Sequence, residues 1–184
     1  MSKPAHSRDQ LLSILSETFL TKGYEGATLA ELSRTTGLSK ASLYHHFPGG
    51  KAEMAASLLR DAVARLDRRA FARLREQGPP KQRLVRFIDG FARYTDGGAQ
   101  ACLVAIFAQG SVSDEHGPAI AKQYRDWNTQ LAEVFEACGH KRKRADREAQ
   151  ALLAALYGYL LSATLQQDTR PFRQGVKTLK KSLS

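Results

Sequence analysis

Five side chains within seven residues carry the chemistry of this sequence: Ser39, Lys40, Ser42, Tyr44 and His45. They offer one ammonium, two aliphatic hydroxyls, a phenol and an imidazole. This mixture donates hydrogen bonds to phosphate oxygens and to acceptor edges of bases. Leu43 and Phe47, four residues apart, mark the inward face of a helix over the same stretch. Lys40, Ser42, Tyr44 and His45 then point outward or sideways. Ala41 is small enough to let the helix start approach a surface, and its methyl can meet a thymine methyl.

The surrounding residues supply the elements that position this helix. Ser39 is a good N-cap, and Pro48, Gly49 and Gly50 stop the helix. Upstream, Thr28 with Glu31 three residues later reads as a capping box for a preceding helix carrying Leu29 and Leu32 on one face. Gly37 sits where a left-handed residue ends that helix. Two short helices about a glycine turn make a helix-turn-helix. A helix with its side chains is about 10–12 Å across and the B-DNA major groove about 12 Å wide, so the second helix fits duplex DNA.

The net charge agrees with a polyanionic partner: 28 Lys and Arg stand against 18 Asp and Glu, a formal +10. Other classes find little support. There is no glycine-rich phosphate loop, no zinc-ligand spacing and no Ser/His/Asp arrangement, so no enzyme, metal site or cofactor is expected. His45 and His46 are adjacent, about 100° apart on a helix, and do not jointly hold a metal ion. Cys102 and Cys138 lie in no metal spacing and are read as reduced and structural. A thiol-based redox regulator acting through Cys102 is the alternative, weakened by the apolar run around that residue, which disfavours the thiolate. No apolar run spans a bilayer and no signal-peptide core opens the chain, so a soluble cytoplasmic protein is expected.

Gly23-Tyr24, Thr28–Leu32, Gly37-Leu38-Ser39-Lys40, Leu43-Tyr44-His45-His46-Phe47 and Lys51 closely resemble the N-terminal domain of the TetR/AcrR family of transcriptional regulators. The Pro48-Gly49-Gly50-Lys51 connection, one residue longer than the commonest family form, resembles the LmrA/YxaF-like branch. The resemblance implies an all-α homodimer, usually a repressor, released from its operator by a small molecule. It also implies that Thr28, Ser39, Lys40, Ala41, Ser42, Tyr44, His45, His46 and Lys51 are the DNA-facing positions.

The rest of the chain reads as about nine helices in two parts, a three-helix DNA-binding head at 1–51 and a ligand-binding and dimerisation body at 52–184. Lys3 and Arg8, in and beside a polar N-terminal tail, could touch phosphate, but the tail is read chiefly as free. A first helix runs from Ser7 or Arg8 to about Lys22 on Leu11, Leu12, Leu15 and Phe19. A long helix runs from Lys51 towards Gly78-Pro79-Pro80, with an arginine-rich outer face, and is the rod whose tilt could link body to head. Another spans about 81–94. The run 101–108 is apolar all round and reads as a helix buried on every side, closed by Gly110 and the segment after Ser113. A helix then covers about 118–138, 139–144 reads as a basic loop, and helices cover about 146–165 and from Pro171 to near Leu183. Phe87, Phe91, Tyr94, Cys102, Leu103, Ile106, Tyr124 and Trp127 are expected to line a pocket for a small apolar or aromatic effector. Leu152, Leu153, Leu156, Tyr157, Leu160, Phe172, Val176 and Leu179 are expected to pair with a second copy in a four-helix interface, so that two heads read a palindrome.

Overall fold

A computed structural model describes residues 7–108 and 112–183, with the backbone alone given for 112–115. Lys3 and Gly110 lie outside the described residues. Among those residues the fold is all-α: nine α-helices, two short 3₁₀ helices and no strand. The helices are α1 (Arg8–Gly26), α2 (Leu29–Thr36), α3 (Lys40–His46), α4 (Gly50–Arg69), α5 (Pro80–Tyr94), α6 (Leu103–Phe107), α7 (Val112–Ala137), α8 (Arg142–Gln166) and α9 (Arg170–Ser182). The 3₁₀ helices cover Phe71–Arg75 and Asp96–Gly98.

The chain divides into two compact units, Met1–Val63 with Cys102–Ile120, and Ala64–Ala101 with Ala121–Ser184. Both boundaries that fall inside helices lie in α4 and α7. The division differs from a simple head at 1–51, because α6 belongs with the first unit. Its Phe107 packs edge-on against Phe19 of α1, ring centroids 5.5 Å apart.

The first unit is built around the apolar faces of its helices. Leu11, Leu15, Phe19, Leu32, Leu43, Phe47, Met54 and Leu58 are fully buried. Helix α1 begins on a complete capping box: Gln10 N–H donates to Ser7 Oγ (3.2 Å) and Ser7 N–H donates to Gln10 Oε1 (2.9 Å). Gly23, at φ +66°, breaks the helical geometry of α1 before Tyr24. The apolar run at 101–108 forms only five residues of helix, and it is not buried on every side: Ala105 and Ile106 are half-buried and Ala108 is exposed.

In the second unit an aromatic cluster forms the core. Phe71 stacks on Trp127 (4.9 Å between centroids, planes 9° apart) and tilts against Phe87 (4.9 Å). Phe91 meets Tyr157 edge-on (5.4 Å) and lies near Phe172 (6.4 Å). Helix α4 ends at Arg69 rather than running towards Gly78, and the chain tightens into the first 3₁₀ helix. Two backbones cross closely there: a Cβ on Gly90 of α5 would stand 2.1 Å from the Arg69 carbonyl oxygen, so they meet where only glycine fits. The basic stretch 139–144 is only partly loop. Helix α8 starts at Arg142, whose guanidinium pairs with Glu136 (3.1 Å) and Asp146 (3.1 Å).

Candidate nucleic-acid interface

The helix-turn-helix forms from local hydrogen bonds that the sequence encodes residue by residue. Glu31 N–H donates to Thr28 Oγ1 (3.2 Å), which caps α2. The expected second half of that box does not form. The Glu31 carboxylate instead accepts from Arg34 Nε (3.1 Å) and Nη2 (2.6 Å), and this bond holds its carboxyl below the ordinary Glu range. Gly37 takes the left-handed conformation at φ +68°. Ser33 Oγ donates to the Leu38 carbonyl (2.5 Å) and Leu38 N–H donates to Thr36 Oγ1 (3.3 Å), so two side chains brace the turn. Thr18 and Thr35 hydroxyls, 3.1 Å apart, tie α2 to α1.

Helix α3 starts at Ser39, whose Oγ accepts from Ser42 N–H (3.0 Å) and lies 2.9 Å from Ser42 Oγ. Ser42 is therefore engaged with its own cap, a constraint that spacing alone does not reveal. Leu43 and Phe47 are fully buried. Against that anchored side, Thr28, Ser39, Lys40, Ala41, Tyr44 and His45 are exposed, and Ser42, His46 and Lys51 are half-buried. Tyr44 exposes 45% of its surface, unusual for an aromatic ring on a seven-residue helix. The His45 and His46 rings are 5.8 Å apart and inclined by 71°. Among the described residues no group of His, Cys, Asp and Glu is arranged to hold a metal ion.

The connection into α4 positions two more side chains. Gly50, at φ +64°, lies beneath the Tyr44 ring. Lys51 sends its ammonium over the Tyr24 ring, 4.1 Å from the centroid. Gly49 N–H donates to Glu53 Oε2 (2.8 Å), and the Arg8 guanidinium lies over the Phe47 ring at 5.1 Å with Glu53 4.0 Å away. Gly50 is read from the sequence only as a helix stop and Gly23-Tyr24 only as part of the family resemblance, which does not reach their contacts with Tyr44 and Lys51. Each acts through a contact distant in sequence or through backbone geometry, neither of which leaves a periodic signal.

The sequence matches the tetR family of bacterial regulatory proteins over residues 11–58 and the C-terminal domain of LmrA/YxaF-like transcriptional regulators over residues 80–178. The chain belongs to the TetR family, in its LmrA/YxaF-like branch. It is similar to the HTH-type transcriptional regulator LmrA of Bacillus subtilis, 25% identical over 169 residues that cover 89% of each chain. Over 64 residues, 35% of this chain and 34% of the relative, it is 39% identical to the transcriptional repressor AcnR of Corynebacterium efficiens. The fold resembles the crystal structure of a TetR transcriptional regulator from Legionella pneumophila (TM-score 0.75, 18% identity, 98% of both chains). This TetR-family protein is thus a DNA-binding transcriptional regulator, in a family of regulators and not of enzymes.

The residues expected at a pocket fall in both units. Cys102, Leu103 and Ile106 belong to the first, with Cys102 1% and Leu103 2% exposed. Phe87, Phe91, Tyr94, Tyr124 and Trp127 belong to the second. Of these, Phe87, Phe91 and Trp127 are packed into the aromatic core, Tyr94 is half-buried and Tyr124 is exposed. Among the described residues the buried Trp127 indole N–H has no hydrogen-bond partner.

The residues expected at a dimer interface differ in exposure. Leu152, Leu153, Leu156, Leu160 and Phe172 are buried within the chain itself, and Tyr157, Val176 and Leu179 are half-buried. The largest of these side chains close the chain's own core. On the opposite face Ala151, Ala154, Gly158, Leu161 and Leu165 are all exposed, Leu161 by 57% and Leu165 by 75%. Their spacing of three and four residues alternately is that of a helix-pairing seam. Among the described residues no helix is long and apolar enough to cross a membrane.

Proposed function

We propose that this TetR-family regulator is a homodimeric repressor that inserts α3 into the major groove of a palindromic operator and releases it when a small molecule binds the second unit. The observation that carries the reading is the exposed row Lys40, Ala41, Tyr44 and His45 on a helix pinned from behind by buried Leu43 and Phe47. Lys40 donates to a guanine edge or a phosphate, and Tyr44 and His45 donate to phosphates or bases. Thr28, Ser39 and Lys51 flank the helix and act as phosphate contacts, which fix register without reading sequence. Ser42 and His46 shape the helix face beside them. A relative named as a repressor supports that direction of control.

A single head reads one short half-site. The exposed seam on α8, small at Ala151, Ala154 and Gly158 and apolar at Leu161 and Leu165, supports pairing with a second copy. A Cβ on Gly158 would meet nothing within 4 Å, which leaves room for a partner helix to approach closely.

The unpartnered Trp127 N–H supports an effector with a flat aromatic face and a hydrogen-bond acceptor. A buried donor left unmade costs about 1–3 kcal/mol. A ligand that parts the Phe71–Trp127 stack replaces that contact with its own face and satisfies the N–H. By linkage, an effector that weakens DNA binding is itself bound more weakly by the DNA complex, by the same factor.

Selection of bound fragments from random duplexes tests the reading. A palindrome with half-sites about 34–36 Å apart, centre to centre, or a multiple of that spacing, is expected. A single unrepeated half-site, or retention that ignores salt, contradicts it.

A further inference from the structure

Lys51 stands at the second residue of α4, at the end of a flexible four-carbon stem. Such a side chain loses much rotamer freedom when it is fixed on a phosphate. Here the ammonium is already held. It lies 4.1 Å from the centre of the Tyr24 ring, and Nζ donates to the Glu25 carbonyl at 3.5 Å. Tyr24 is itself braced: its ring stacks on Phe19 (6.0 Å, planes 24° apart), Phe19 is fully buried, and Phe107 packs edge-on against Phe19. An aromatic chain thus runs from the core of the first unit to the Lys51 ammonium. The turn at Gly23, at φ +66°, brings Tyr24 into that chain.

The chemistry of the support matters as much as its place. A carboxylate would hold an ammonium more strongly, but it would cancel the charge that a phosphate needs. The face of an aromatic ring attracts a cation through its quadrupole and leaves the full positive charge in place. A backbone carbonyl at the C-terminal end of α1 does the same with a partial charge. The stem is steadied while the charge remains available for counterion release.

We propose that Tyr24 is a positioning residue for DNA binding, whose ring holds the Lys51 ammonium in the orientation that meets a backbone phosphate. The proposal rests on the reading of Lys51 as a phosphate contact.

The test compares two isosteric rings at position 24 in the full chain: Tyr24→Phe, and pentafluorophenylalanine, in which fluorine reverses the quadrupole while nearly preserving the packing. The probe is a duplex selected by the wild-type protein, titrated across a salt series. Tyr24→Phe is expected to bind as wild type. The fluorinated ring is expected to bind roughly two- to fivefold more weakly. In a Lys51→Ala background the two rings are expected to bind alike. Lys51→Ala alone is expected to flatten the salt slope by about 0.9. Equal affinity of the two rings on the wild-type background overturns the positioning role, as does a difference that persists without Lys51, which marks Tyr24 as packing only. If Lys51→Ala changes neither affinity nor slope, it is the phosphate contact that is wrong, and the proposal falls with it.

Discussion

The ring of Tyr44 lies across Gly50: a Cβ at Gly50 would stand 3.2 Å from Tyr44 Cε1 and 3.7 Å from its hydroxyl oxygen. The residue that opens α4 is therefore also the floor beneath an exposed phenol on α3. Two requirements meet at one glycine, a φ of +64° and an absent side chain. Gly50→Ala is expected to destabilise the fold by about 1–2 kcal/mol through the left-handed backbone. It is also expected to weaken binding of a selected duplex, because the methyl displaces the ring. Urea melts and duplex titrations separate the two effects. A stability loss with unchanged DNA affinity would show that the phenol tolerates the shift.

The exposed donors of α3 are expected to behave in the opposite way. Lys40 and Tyr44 lie on the solvent side of the helix, so Lys40→Ala and Tyr44→Ala are expected to leave the thermal midpoint nearly unchanged. Each is expected to cost about 1–3 kcal/mol of DNA binding where it meets a base edge, or to lower the salt slope by about one where it meets a phosphate. Titrations of the selected duplex and of a scrambled one distinguish these cases. Wild-type affinity in both variants would refute the assignment of α3 as the reading helix.

Much of the first unit was legible in the residues because its determinants are local. Thr28, Gly37, Ser39, Leu43 and Phe47 act within four residues of themselves, and each takes the cap, turn or buried position its type dictates. The failures share a different origin. Glu31 had two partners within reach, and Arg34 offered a bidentate, charge-assisted bond that a backbone N–H does not match. The end of α4 lies at a close backbone crossing with Gly90, twenty-one residues beyond Arg69, that no periodicity announces. On α8 the leucines drew attention because they carry the hydrophobic signal. That signal marks the monomer core first, while the exposed row Ala151, Ala154 and Gly158 is nearly silent on any hydropathy measure.

Cys138 offers a check through pH. Burial raises its thiol pKa, while Lys81 and Arg83 pull in the other direction. A raised folded-state pKa favours the neutral thiol in the native protein. Its contribution to stability is then complete below the unfolded thiol pKa, about 8.5, and is lost as pH rises from there through the folded value. Stability of the wild-type chain is expected to fall more steeply above about pH 8.5 than that of Cys138→Ala. Alkylation of Cys138 at neutral pH is expected to be slower than that of a free thiol. Parallel alkaline stability curves for the two proteins, or fast alkylation at neutral pH, would remove this account.

The two faces of α8 predict two different failures from leucines five residues apart. Leu156 is fully buried within the chain, so Leu156→Ala is expected to cost about 2–5 kcal/mol of folding stability through lost burial and the cavity left behind. Leu161 is 57% exposed, and Leu161→Glu removes nothing from the monomer core. If Leu161 lies on a seam with a second copy, the substitution places a charge in each partner's apolar contact and repels its symmetry mate. The expected result is a folded chain with native helical content and a sedimentation mass of one protomer. Affinity for a palindrome would then fall towards that for a single half-site, because the two heads no longer arrive together. A dimeric mass that survives Leu161→Glu and also Leu165→Glu would move the interface off this face of α8, whatever the heads do on DNA.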